Sequence, residues 1–166
     1  MNKIAHLINF SQINTINLSG RGGKESLIEK MFNSHLKIKQ INNPLYDFEI
    51  SYEGKEYKIE VKKQEKHQWF DVAKYYNLSE EQKKIIMLYI MHKSGVINKL
   101  IAIPLGDFLD VCLSDDDLKK YGWTNDVFQI ANELKIKHPA LQFKVKADLN
   151  KFFDLYRNKF EIVYEI

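Results

Sequence analysis

From Leu45 to Lys62 apolar and polar residues alternate on both sides of a Gly-containing turn, the pattern of two strands joined as a hairpin. Phe48, Ile50 and Tyr52, with Tyr57, Ile59 and Val61, are expected to face a core, and Asp47, Glu49, Ser51, Glu56, Lys58, Glu60 and Lys62 to face away from it. A loop made of Glu53-Gly54 alone sets Tyr52 opposite Lys55 and Asp47 opposite Glu60. An odd loop would set apolar residues against polar ones, so the pattern itself selects the even register. Downstream, residues 85–91 are almost continuously apolar, as in a strand buried on both faces. Lys93-Ser94-Gly95 reads as a turn, and 96–103 as a second strand in the same sheet as the hairpin.

Helical periodicity covers 24–35, with Leu27, Ile28, Met31, Phe32 and Leu36 on its apolar side. Ser79 is a cap or turn residue, and Pro104-Leu105-Gly106-Asp107 opens a helix to about 113. The run Ser114-Asp115-Asp116-Asp117 looks like a metal cluster at first sight. Consecutive helical residues point in different directions, however, and the run fits a cap and first turn before Leu118. Helices are expected at 125–135 and 148–156, extended chain at 141–145 and a last strand at 160–164. The first eighteen residues read as an irregular arm or a short helix packed on the core.

The hairpin register carries the chemistry. Cross-strand partners hold their Cβ atoms roughly 5 Å apart, so Asp47 and Glu60 would be neighbouring carboxylates, with Lys62 on the same face. Adjacent carboxylates share a proton or bind a cation. Their oxygens suit a hard ion such as magnesium, which keeps several waters and takes further ligands from substrate phosphate. Lys62 would then contact the scissile phosphate and hold or deprotonate the attacking water. A lone Glu-x-Lys triplet would be read as a solvated strand face; the Asp47 register and the apolar strand that follows favour the functional reading.

With these residues in place the chain resembles the PD-(D/E)XK nuclease superfamily, to which many restriction endonucleases belong. The resemblance spans about residues 20–105. It implies an α/β fold, a restriction-endonuclease-like mixed central β-sheet flanked by helices, and magnesium-dependent cleavage of double-stranded DNA. Carried over, it makes Asp47, Glu60 and the carbonyl of Val61 the Mg2+ ligands and Lys62 the catalytic lysine. Gly22-Gly23-Lys24-Glu25-Ser26-Leu27-Ile28-Glu29 resembles the Gly-x-x-x-x-Leu-Leu-Glu helix of mismatch-repair nicking enzymes, which assigns the helix carboxylate to Glu29, with Glu25 as the alternative. Pro44 stands two residues before Tyr46, a departure from the commoner pattern. The implied enzyme is a small type II restriction endonuclease working as a homodimer, since two cuts need two sites. A repair nickase, junction resolvase or homing nuclease of the same superfamily, or a DNA-binding module without catalysis, remain alternatives.

The 166 residues, 45% of them hydrophobic, suffice for one substantial core and are few for two, so one nuclease domain over 1–166 is expected, with 106–166 as recognition or dimer elements. The formal charge of +3 identifies no partner by itself. Locally, Lys63, Lys66 and His67 crowd the end of the hairpin as DNA-binding candidates, and Gln64, on the face of Lys62, could bond a phosphate, a base edge or water. Residues 65–76 mix aromatic, amide and basic side chains, which suits either nucleic-acid contact or a packed helix. From the last third, Lys144, Lys146, Asn150, Arg157 and Asn158 are the further candidates for DNA contact. The single cysteine, Cys112, excludes an internal disulfide and lies in an apolar stretch, and no apolar run approaches spanning length. A soluble cytoplasmic protein is expected.

Overall fold

The computed structural model describes residues 3–18, 27 and 29–166, of Asn150 the backbone alone. Two antiparallel strands, β2 (Phe48–Tyr52) and β3 (Lys55–Gln64), form the expected hairpin, paired Tyr52↔Lys55 through Phe48↔Ile59. The loop is Glu53-Gly54, the even one selected by the hydrophobic pattern, and both residues have positive φ, 49° and 75°. That is the geometry of a tight turn whose twist matches a hairpin.

The hairpin is the core of a six-stranded mixed sheet. β1 (Lys37–Gln40) pairs with β2 on its outer side, and on the other side β3 runs parallel to β5 (Ile86–Lys93). β6 (Val96–Pro104) pairs antiparallel with β5, and β8 (Glu161–Glu165) with β6, giving the order β1-β2-β3-β5-β6-β8. Parallel neighbours need a crossover; here it is residues 65–85, holding the strand β4 (Gln68–Asp71), a 3-10 turn (Val72–Tyr75) and the short helix α1 (Glu80–Lys83). Ser79 and Gln82 cap that helix reciprocally.

β5 is buried on both faces, as its sequence predicts. Met87, Tyr89 and Met91 enter one core (face one), and Ile86, Leu88 and Ile90 the other (face two). Face one is covered by the helices α2 (Leu105–Ser114), α3 (Asp116–Lys119), α4 (Asn125–Lys137) and α5 (Leu149–Leu155), whose Phe108, Leu118, Phe128, Phe152 and Phe153 pack with Trp123 and Phe70. Asp115 caps α3 by accepting from Leu118 N–H, so the acidic run is a helix start. Face two is covered by residues 3–18, in two 3-10 turns (Ala5–Leu7 and Phe10–Thr15), through Ile4, Leu7, Ile13 and Ile16, and by Leu27 and Met31 of a helical turn. Of the helix expected over 24–35, residues 24–26 and 28 lie outside the described residues, and its end comes early: Phe32 forms a bridge with Ile8, which ends helical pairing there.

Two expectations about the hairpin change. From Glu60 to Gln64 its charged face is no solvent face, because core one covers it from β4 to α5, whereas Ser51, Glu56 and Lys58 stay exposed. The segment after it is no helix either: β4 pairs antiparallel with β7 (Lys144–Ala147), Trp69↔Lys146 and Asp71↔Lys144, as a two-stranded ribbon beside the main sheet. Among the described residues no helix is long and apolar enough to cross a membrane.

Gly54 meets no atom within 4 Å where a Cβ would stand, so the cost of replacing it is its φ alone. Glu53 carries a left-handed conformation that asparagine tolerates better. Glu53→Asn is therefore expected to raise stability by about 0.5 kcal/mol, and Gly54→Ala to lower it by about 1 kcal/mol, in urea denaturation. A hairpin insensitive to both changes would contradict this turn.

Candidate functional site

Backbone pairing of β2 with β3 runs to Phe48↔Ile59, and Asp47 lies one residue beyond. Asp47 N–H donates to the Ile59 carbonyl (2.8 Å), and Ile41 N–H to the Asp47 carbonyl (2.9 Å). The chain thus turns from β3 toward β1 at this residue, which would leave Val61 N–H without a backbone acceptor on that side. The Asp47 carboxylate takes its place, with Oδ2 accepting from Val61 N–H at 2.9 Å. An extended residue presents its N–H and C=O to the same edge, so the Val61 carbonyl opens toward Asp47 as well.

Glu60, one residue earlier on β3, is 9% exposed and faces core one beside Tyr75. Burial pushes its carboxyl up to about 7, and the Asp47 charge pushes the same way; Lys62 and Lys74 pull against them. The Asp47 charge thus acts on Glu60, although ladder pairing stops at Phe48↔Ile59, one step short of the expected Asp47 and Glu60 pair. Lys62 Nζ lies 3.6 Å from Glu60 Oε1 and 5.3 Å from the centre of the Phe70 ring. Lys74 is the residue that sequence reasoning missed. It stands on the 3-10 turn after β4 and donates from Nζ to the Pro44 carbonyl (2.9 Å). Burial, then the Lys62 charge, lower its pKa. No spacing in the sequence joins it to the hairpin; only its place four residues after a strand-forming Phe70 could have hinted at it.

Other candidates fall elsewhere. Gln64 is 1% exposed and fully engaged: it accepts from Tyr89 Oη and Leu149 N–H (3.4 Å) and donates to the Lys66 carbonyl (3.2 Å) and Asp148 (3.4 Å). It is a clasp between β3, β5 and the start of α5, and not a DNA contact, because its partners lie inside the protein. Lys63 is half-buried, whereas Lys66 and His67 are exposed. Glu29 is exposed on the helical turn whose Leu27 and Met31 are buried on face two, across the sheet from Glu60 and Lys62. The apolar side of that turn dictates this placement, and the structure does not add Glu29 to the pair. Glu25 lies outside the described residues.

Among the described residues no group of three His, Cys, Asp or Glu side chains is gathered that could hold a metal by itself. The pair supplies two carboxylates and the Val61 carbonyl. These are hard oxygen donors, and the raised pKa of Glu60 marks a buried negative charge that a cation would relieve. Comparison with known protein families, with curated proteins and with solved structures found no match to this chain.

Two outcomes follow from this geometry. Replacing Gln64 with leucine strands Tyr89 Oη and the Leu149 N–H in the core and is expected to cost about 2–4 kcal/mol in denaturant unfolding; a loss below 1 kcal/mol would mean the clasp is not buried as described. Second, the folded protein holds the Glu60 proton more tightly than the unfolded chain does. The resulting stability is full below the ordinary carboxylate pKa of 4.5 and is lost as pH rises through about 7. Without divalent ions the native chain should lose up to about 3 kcal/mol across this window relative to Glu60→Gln. Parallel pH profiles for the two proteins would remove Glu60 as the cause.

Proposed function

We propose that this chain is a magnesium-dependent endonuclease that hydrolyses DNA phosphodiester bonds, built on a restriction-endonuclease-like sheet. The observation that carries the reading is the Asp47 carboxylate fixed on Val61 N–H next to a buried Glu60, with the Lys62 ammonium 3.6 Å from Glu60 Oε1. A type II restriction enzyme acting as a cytoplasmic homodimer is the task that best suits a small single site, since each strand needs its own cut. Nicking, junction resolution or homing would use the same chemistry.

Asp47, Glu60 and the Val61 carbonyl would hold the ion, with waters and a substrate phosphate completing its shell. When bound, magnesium supplies neutralisation of the phosphate and a more acidic water. Lys62 Nζ, steadied over the Phe70 ring, holds a phosphate oxygen or the incoming water in line with the bond to be broken. Lys74, behind it, lowers the cost of bringing a further phosphate charge to a site that already contains two carboxylates. Phe70 and Tyr75 wall the site with apolar surface, which strengthens each of these charge interactions.

A second reading has an observation of its own: Lys62 and Lys74 offset the Glu60 charge without any metal, as an ion-paired structural site would. The two readings separate in one experiment. Cleavage of long unmodified DNA with magnesium is expected to give discrete bands. Asp47→Asn, which keeps an acceptor for Val61 N–H, Glu60→Gln and Lys62→Met should each reduce cleavage about a thousandfold or more while unfolding stays cooperative. Absent cleavage, together with a melting temperature indifferent to magnesium, would leave the ion-paired reading; a smear in place of bands would mean cutting without sequence choice.

A further inference from the structure

The ribbon of β4 and β7 has two unlike faces. Phe70 and Val145 point inward to core one, and Phe70 lies under the Lys62 ammonium. Trp69, Asp71, Lys144 and Lys146 share the outer face, by alternation from those partners. Trp69 is 46% exposed there, and the His67 ring stands edge-on to it, with centres 5.7 Å apart. The only acid within the two strands is Asp71, and its carboxylate is taken by Lys135 Nζ and Phe143 N–H. A cleft of about 370 Å3 opens next to the ribbon, lined by Lys66, His67, Tyr121, Lys146 and Asp148.

Trp69 thus sets a half-exposed aromatic ring beside lysines on one face of the ribbon. The ribbon is also held rigidly. Gln68 donates to the Lys63 carbonyl (2.7 Å), Trp123 Nε1 to the Lys146 carbonyl (3.3 Å), and Gln64 to Asp148 just past β7. A two-stranded antiparallel ribbon is one of the elements that fit the major groove. Its positive face is complementary to phosphate, and its underside touches Lys62.

We propose that the outer face of this ribbon carries duplex DNA in its major groove, with Lys144, Lys146 and Lys66 on phosphates and Trp69 in apolar contact with base edges. This assignment rests on the DNA-cleaving function proposed above and names the surface that presents its substrate. It singles out Lys144 and Lys146 from the basic residues of the last third, and it adds Trp69, which lies six residues from Lys63 in sequence but on a separate sheet.

The chain has two tryptophans, and Trp123 is fully buried, so acrylamide quenching of the native protein reports Trp69. The test is titration of the full chain with a duplex oligonucleotide in chelator, where no cutting intervenes. Duplex is expected to shield Trp69 from acrylamide. Lys144→Gln with Lys146→Gln should flatten the slope of log K against log salt by about 2, as two lost phosphate contacts require. Trp69→Ala should weaken binding several-fold and leave that slope unchanged. An unchanged slope in the double variant, a Trp69 equally open to acrylamide in the saturated complex, or binding of single strands in preference to duplex would each overturn the proposal. Magnesium-dependent cleavage is read separately: a chain that cuts while the ribbon variants bind normally keeps the nuclease and loses the ribbon, and a chain that binds through the ribbon yet never cuts does the reverse.

Discussion

The bond from Val61 N–H to the Asp47 carboxylate is the constraint on which the site depends. At the end of β2 the backbone turns away toward β1, and a strand that continues past its neighbour leaves donors exposed along its edge. An ionised side chain accepts one of them, a bond worth roughly 1.5–3 kcal/mol because the acceptor is charged. The same bond fixes the carboxylate beside Glu60 without any help from a ligand. Asp47 therefore has a structural duty, and under the proposed function a chemical one as well. Alanine at this position would confound the two, whereas asparagine separates them.

Glu60 shows why the arrangement is unstable in isolation and useful in context. Core one packs over β3 from the side of Phe70 and Tyr75, so the carboxylate sits where its charged form is disfavoured, and Asp47 worsens its position. Lys62 and Lys74 recover part of that cost, and Lys74 is itself disfavoured as a cation by burial and by Lys62. The two acids thus oppose one another, as do the two ammonium groups, at the rim of an apolar core. A small, doubly charged cation and a phosphate, arriving together, would satisfy all four. Replacing a buried ion pair by apolar packing is often neutral or stabilising, so the cluster is weak evidence for stability and fits the proposed chemistry.

The parts legible in the sequence were those with short-range grammar. Alternation on either side of Gly54 left one register for the hairpin, and the nearly continuous apolar run over 85–91 read as a strand covered on both faces, as it is. What stayed illegible depends on partners far along the chain. Gln64 looks like any polar strand end until Tyr89 and Leu149 are placed around it. β4 and β7 are four residues each and meet across some seventy intervening residues, so neither announces its mate. The helix predicted over 24–35 gave way where Phe32 found Ile8, a contact with the irregular arm that periodicity does not encode. Lys74 reached the site through a 3-10 turn whose direction is set by the burial of Val72 and Tyr75 on either side of it.

The ribbon links the two ends of the proposed activity through one residue. Phe70 belongs to β4, whose outward neighbour is Trp69, and its ring lies 5.3 Å from the ammonium of Lys62 on β3. Side-chain alternation makes these opposite faces of a single strand. Under the proposed function, a duplex held on Trp69 would lie on the strand whose other face carries the ring under Lys62. Gln68, which donates to the Lys63 carbonyl, ties that strand to β3, and the clasp at Gln64 ties β3 in turn to β5 and the start of α5. A rigid ribbon of this kind favours a preformed site over one assembled by closure, since the buried hydrogen bonds that hold it would have to break for the strand to travel.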